Sequence, residues 1–154
     1  MDKKTARWIR VSGLLLLIIY LAMLNYFLFF SAAFGRTMNL GREIHYNINP
    51  FTEIRRFLTC SAQLGTRAVM VNLLGNVLAF MPLGLILPVI IKTMRKGIRV
   101  ILWGFLFSMC VESIQLVTRV GSFDVDDIIL NTTGVLLGFL FFRLFNRIRR
   151  EYYG

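Results

Sequence analysis

Acidic side chains are scarce in this chain: eight Asp and Glu stand against eighteen Lys and Arg, for a formal net charge of +10. Two cysteines and one histidine are fewer still. So few thiols exclude a disulfide-built scaffold and a cysteine cluster for metal. Cys60 lies in a polar connection and Cys110 in an apolar run, so the two read as free thiols at different depths. His45 has no neighbouring His or Cys with which to form a metal set and reads as a loop residue. Nucleotide-binding glycine loops, serine-nucleophile motifs, internal repeats and low-complexity linkers are also missing. Nor does the basic balance make a nucleic-acid face. Lys and Arg gather at the ends of apolar segments, where they meet lipid headgroups.

What the chain has in quantity is apolar surface. Hydrophobic residues make up 56% of it, with fourteen Phe, which is a membrane composition. A helix that spans a bilayer needs about 20 such residues. Four runs meet or approach that length, roughly 9–30, 69–91, 98–118 and 125–145. Helices are the form that satisfies every backbone group within lipid. Ser31-Ala32-Ala33 faintly resembles a signal-peptide cleavage site, but the first run is longer than the core of a signal peptide and reads as a retained span. The expected fold is an all-α polytopic membrane protein. It is a single domain over 1–154, a four-transmembrane-helix bundle.

Orientation follows from the basic residues. Twelve lie on one side, in the N-terminal segment, the connection near 92–99 and the C-terminal end. The other six (Arg36, Arg42, Arg55, Arg56, Arg67 and Arg119) are spread over a longer stretch. The positive-inside rule then predicts cytoplasmic termini, with 31–68 and 119–124 outside. Within the long outer connection, Asn49-Pro50 favours a turn. Thr52 is placed to cap a short interfacial helix with Ile54, Phe57 and Leu58 on one face and Arg55 and Arg56 towards headgroups.

An ionised group near the bilayer centre costs about 2.5–3.5 kcal/mol on insertion scales, so polar residues in spans need partners or a function. With this orientation they share one depth. Asn72 and Asn76 open the second span, Glu112, Gln115 and Arg119 close the third, and Asp126, Asp127 and Asn131 open the fourth. At helical spacing Glu112, Gln115 and Arg119 form one stripe. Asp127, Asn131, Gly134 and Gly138 form another, and Gly134-xxx-Gly138 is a small-residue packing face. The expectation is a polar pocket opening outward. A bland reading accounts for parts of it: interhelical amides are ordinary glue, Asp124 with Asp127 suits a helix start, and Arg119 can snorkel.

The order Asn72-xxx-Asn76, Phe80-Met81-Pro82-Leu83-Gly84, Glu112-xx-Gln115-xxx-Arg119 and Asp124-x-Asp126-Asp127-xxx-Asn131-xx-Gly134-xxx-Gly138 resembles the VanZ-like family. Asn49-Pro50-Phe51 fits it too. The resemblance covers about 14–145 and implies a small polytopic bacterial protein. Its founding member is associated with low-level resistance to teicoplanin, a lipidated glycopeptide. It supplies no established reaction, so whether the chain is an enzyme stays open.

Three functions compete. In the first, Arg119, aided by Arg67, holds a phosphate or carboxylate of an outer-leaflet amphiphile. Glu112 and Asp127 handle protons as the catalytic pair, and Asn72, Asn76, Gln115 and Asn131, with Asp124 and Asp126, bind the headgroup. Membrane lipids, a lipid-linked wall precursor or the lipoglycopeptide itself are the partners this implies. In the second, the bundle is an envelope scaffold or partner of a wall-synthesis enzyme. A transporter is the third, kept open by a kink at Pro82-Leu83-Gly84. No cofactor is expected, although Glu112, Asp124, Asp126 and Asp127 are oxygen ligands of the kind a divalent cation takes.

Overall fold

A computed structural model describes residues 3–30, 46–59 and 66–153. Expectations that fall on 31–45 (Ser31-Ala32-Ala33, Arg36, Arg42, His45) and on Cys60 lie outside the described residues, as do the side chains of Leu58 and Arg67. In chain order the elements are α1 (Lys3–Phe30), β1 (Tyr46–Asn47), α2 (Thr52–Thr59), α3 (Thr66–Ile90), a 3-10 turn (Lys92–Arg95), α4 (Gly97–Thr118), β2 (Phe123–Asp124) and α5 (Val125–Tyr153). This is the expected all-α bundle of four long helices with a short one in the first connection.

Each long helix is apolar on nearly all sides. Segments Arg7–Phe30, Asn72–Ile90, Gly97–Thr118 and Val125–Glu151 have mean hydropathy between 1.8 and 2.3, yet only 17–39% of their apolar windows is buried within the protein. Leu14, Ile18, Trp103 and Leu140 among others point outward. So much apolar surface facing away from the core requires a lipid environment. Polar residues scattered along these outer faces bond to their own helix. Ser113 donates to the Met109 carbonyl and Thr133 to that of Ile129, each at 2.8 Å. Back-bonding of this kind hides a hydroxyl without a tertiary partner.

The core is a thin seam of Leu24, Leu28, Phe80, Leu83, Val100, Val111, Val135, Phe139 and Phe142. Its tightest part joins α3 to α5. A Cβ added at Gly84 would lie 1.9 Å from the Val135 carbonyl oxygen. At Gly134 it would lie 2.2 Å from that of Val77, and at Gly138 1.9 Å from that of Met81. Backbone meets backbone there, which is what small residues permit in a membrane.

Pro82 and Pro88 both sit inside α3. Pro82 has no N–H for the carbonyl one turn back, so that turn is weakened. Tyr20 of α1 donates to the neighbouring Ala79 carbonyl at 2.7 Å. The fourth span was expected to end near 145, but α5 runs on to Tyr153. Nothing in the tail breaks a helix, and Arg147 pairs with Glu151 one turn on at 2.9 Å.

Candidate functional site

The polar residues of the three spans gather at the end of the bundle where α4 finishes and α5 starts. Asn76 of α3 donates through Nδ2 to Asp127 Oδ1 of α5 at 2.6 Å. Asn131, one turn further along α5, donates to Ser108 Oγ of α4 at 2.9 Å. Gln115 Nε2 of α4 donates to the Leu28 carbonyl at 3.0 Å. That carbonyl lies in the last described turn of α1, so Gln115 ties the end of α1 to α4. Glu112 Oε2 accepts the Asp124 N–H at 3.2 Å. The amides and carboxylates thus stitch all four long helices together at one level.

Burial sorts them. Glu112 is 2% exposed, Gln115 0%, and Asn131 and Asp126 1% each. Asn72 and Asp127 are half-buried and Arg119 is exposed. This corrects the expected outward-opening pocket. The innermost groups are packed, and Asn72, Asp127 and Arg119 are the more exposed members of the set. The stripe of Glu112, Gln115 and Arg119 also parts at its last member, because α4 stops at Thr118. Arg119 is the C-cap, with φ 56 in the left-handed region, and its N–H bonds to the Leu116 carbonyl at 3.2 Å.

The described part of the first connection, 46–59, is held against β2 and the start of α5. β1 pairs in parallel with β2, Tyr46 opposite Phe123 and Asn47 opposite Asp124. Asn47 reinforces the pair, donating to Asp124 Oδ1 at 3.2 Å and accepting the Asn49 N–H at the same distance. Asp126 does the rest. Its Oδ2 accepts the N–H groups of Glu53 at 2.7 Å and Ile54 at 3.1 Å, and its Oδ1 accepts that of Phe51. Those are the orphan donors of the α2 N-terminus, and a carboxylate there also suits the helix dipole. Thr52 was expected to cap α2. Instead its hydroxyl donates to the Asn49 carbonyl at 3.0 Å, and the cap arrives from 74 residues away on α5.

Asp124 has the helix-start role the sequence offered, with Asp126 as its partner instead of Asp127: Oδ1 accepts the Asp126 N–H at 2.8 Å and so caps α5. Burial pushes the Asp124 carboxyl above the ordinary aspartate range. The negative charges of Asp126 and Glu53 push the same way, and the hydrogen bonds from Asp126 and Asn47 pull against them.

Among the described residues no three His, Cys, Asp or Glu side chains converge as a metal would need. The oxygens of Asp126 face α2, those of Asp124 face β1 and α5, and Asp127 faces Asn76. Two acceptors stand apart. Gln115 Oε1 and Asn131 Oδ1 are buried and accept no hydrogen bond, which is costly for a buried amide.

Sequence reasoning passed over Asn47, Ser108 and Tyr20. Asn47 carried a legible signal, since Asn two residues before Asn49-Pro50 suits a side-chain-to-backbone turn. Ser108 and Tyr20 carried none, because a single hydroxyl in an apolar run looks like any other.

Searches of curated proteins and of solved structures returned no match. A family model described as VanZ/LLP1 matches residues 17–146, which takes in all of α3 and α4, most of α5, the second half of α1 and every residue of the cluster. By that match, over most of its length, the chain belongs to the VanZ/LLP1 family.

Proposed function

We propose that this protein acts at the outer leaflet of a bacterial cell envelope, binding or modifying an amphiphile and so contributing to resistance against lipoglycopeptides such as teicoplanin. What supports the reading is one observation: a buried carboxylate, Glu112, among buried amides whose carbonyl oxygens at Gln115 and Asn131 have no donor. A headgroup rich in hydroxyls or N–H groups offers the donors these acceptors suit. Arg119, exposed at the end of α4, would meet a phosphate or carboxylate from solvent. Glu112 and Asp127 are the groups able to take or give a proton. Asp124 and Asp126 keep the described part of the first connection seated against β2 and the start of α5.

The test compares Glu112→Gln and Arg119→Ala with the parent at matched abundance in a teicoplanin susceptibility assay. Loss of protection in both, by stable proteins, is expected. Full protection in both would sink the reading.

A second reading, an envelope scaffold or partner of a wall-synthesis enzyme, is favoured by the use of Asp124 and Asp126 as helix caps. It predicts that substitutions in the cluster lower protein abundance and leave no stable, inactive form.

A further inference from the structure

The opposite end of the bundle holds a cavity of about 400 Å³, of the size that takes small ligands. Its rim is built from three separate elements: Arg10 of α1, Lys92 and Arg95 of the 3-10 turn, and Arg149 of α5. Anchoring a span needs basic residues near its end, but it does not need four of them round one hollow. Bringing like charges together is unfavourable without a counter-charge. Among the described residues none of the four pairs with a carboxylate; Glu151, the acid nearest in sequence, pairs with Arg147. Their visible partners are neutral. Arg95 Nε donates to the Pro88 carbonyl at 3.3 Å and Arg149 Nη2 to Asn146 Oδ1 at 3.2 Å. Both bonds fix a guanidinium at the rim and leave donors over.

We infer that this cavity is a binding site for the phosphate of an anionic phospholipid in the leaflet at the basic end. A phosphate supplies the missing negative charge and accepts paired N–H donors from arginine. Basic pockets between spans are a recurring form of such sites. The apolar side of the cavity favours a lipid over a solute. Ile9 and Phe145 line it and are 40% and 60% exposed. A free anion leaves that surface bare, and the glycerol esters and first methylenes of a phospholipid cover it. This site is distinct from the Glu112 cluster and does not depend on the function proposed for it.

The experiment is native mass spectrometry of the purified full-length protein in detergent, titrated with phosphatidylglycerol, phosphatidylcholine or inorganic phosphate. Retention of phosphatidylglycerol over phosphatidylcholine is expected. Arg10→Gln/Arg95→Gln is expected to weaken it by about tenfold or more. Arg99→Gln/Arg143→Gln removes as much charge from the same end outside the cavity and is expected to change it less than about twofold. All four positions are exposed, so an unchanged thermal midpoint serves as the folding check. Equal losses in the two pairs, or no preference for the anionic lipid, overturn the inference. If inorganic phosphate binds and displaces the lipid at millimolar concentration, the phosphate site stands and its ligand comes from solution.

Discussion

Arg119 occupies a backbone conformation that glycine usually takes. A left-handed residue without glycine's freedom costs about 1–2 kcal/mol, and such positions persist where something holds them. Two truncations separate backbone from side chain. Arg119→Gly and Arg119→Ala both remove the guanidinium, but Gly alone relieves the φ of 56. The Gly protein is expected to be more stable than the Ala protein by about 1 kcal/mol in thermal unfolding, with both equally defective in the susceptibility assay. A more stable Ala form would show that the cap geometry is not held. At Asp124 the sign of the pH effect is set by burial. Its folded value lies above the ordinary one, so the folded state binds the proton more tightly than the unfolded state does. The stability this contributes is present at low pH and falls as pH rises from about 4 through the raised folded value. Melting curves from pH 4 to 7 are expected to show that fall in the parent. It should shrink in Asp124→Asn, even though Asp126, Glu53 and Glu112 stay nearby. An unchanged slope would assign it elsewhere.

At the scale of elements, the α3–α5 seam decides whether the cluster forms. Gly134→Ala would drive a Cβ into the Val77 carbonyl, beside Asn76. Helix backbones cannot give as side chains do, so destabilisation of about 1–3 kcal/mol is expected, with the Asn76–Asp127 bond lost. Gly13→Ala is the comparison, since its nearest neighbour is the Ile90 side chain at 3.0 Å. Equal thermal shifts for the two would count against backbone contact. Much of this seam was legible. The Gly134-xxx-Gly138 spacing marked a packing face, and the four spans followed from hydropathy and length alone. Gly84 was read as part of a kink and of the family motif but not as a packing residue, because sequence spacing says which residues share a face but not what lies opposite. Nor could the sequence show that Asp126 closes over α2: the local cap rule favours Thr52, and only the tertiary approach of the connection puts a stronger acceptor within reach. The depth of Glu112 was legible. Its near-complete burial was not, because the partner it meets, the Asp124 N–H, is set by how the chain folds back after α4 and not by helical spacing.

The whole molecule has two chemically different ends, one carrying the amide and carboxylate cluster, the other the basic cavity. The positive-inside rule, applied to the distribution of Lys and Arg, predicts an orientation with the cluster outside. Single cysteines introduced at Gly121 and Thr93, with Cys60 and Cys110 replaced by Ser, are expected to react with an impermeant thiol reagent from outside and from inside respectively. The reverse pattern would put the cluster in the cytoplasm and end the outer-leaflet proposal. Attachment strengths across the bundle differ in a way that bears on how a long-tailed molecule enters. α3 and α5 meet backbone to backbone, whereas α1 is joined to its neighbours by the Tyr20 hydroxyl, the Gln115 amide and a few leucines. If α1 swings outward like a door on those two latches, an acyl chain slides in sideways from the bilayer. It reaches Gln115 without its tail ever crossing water.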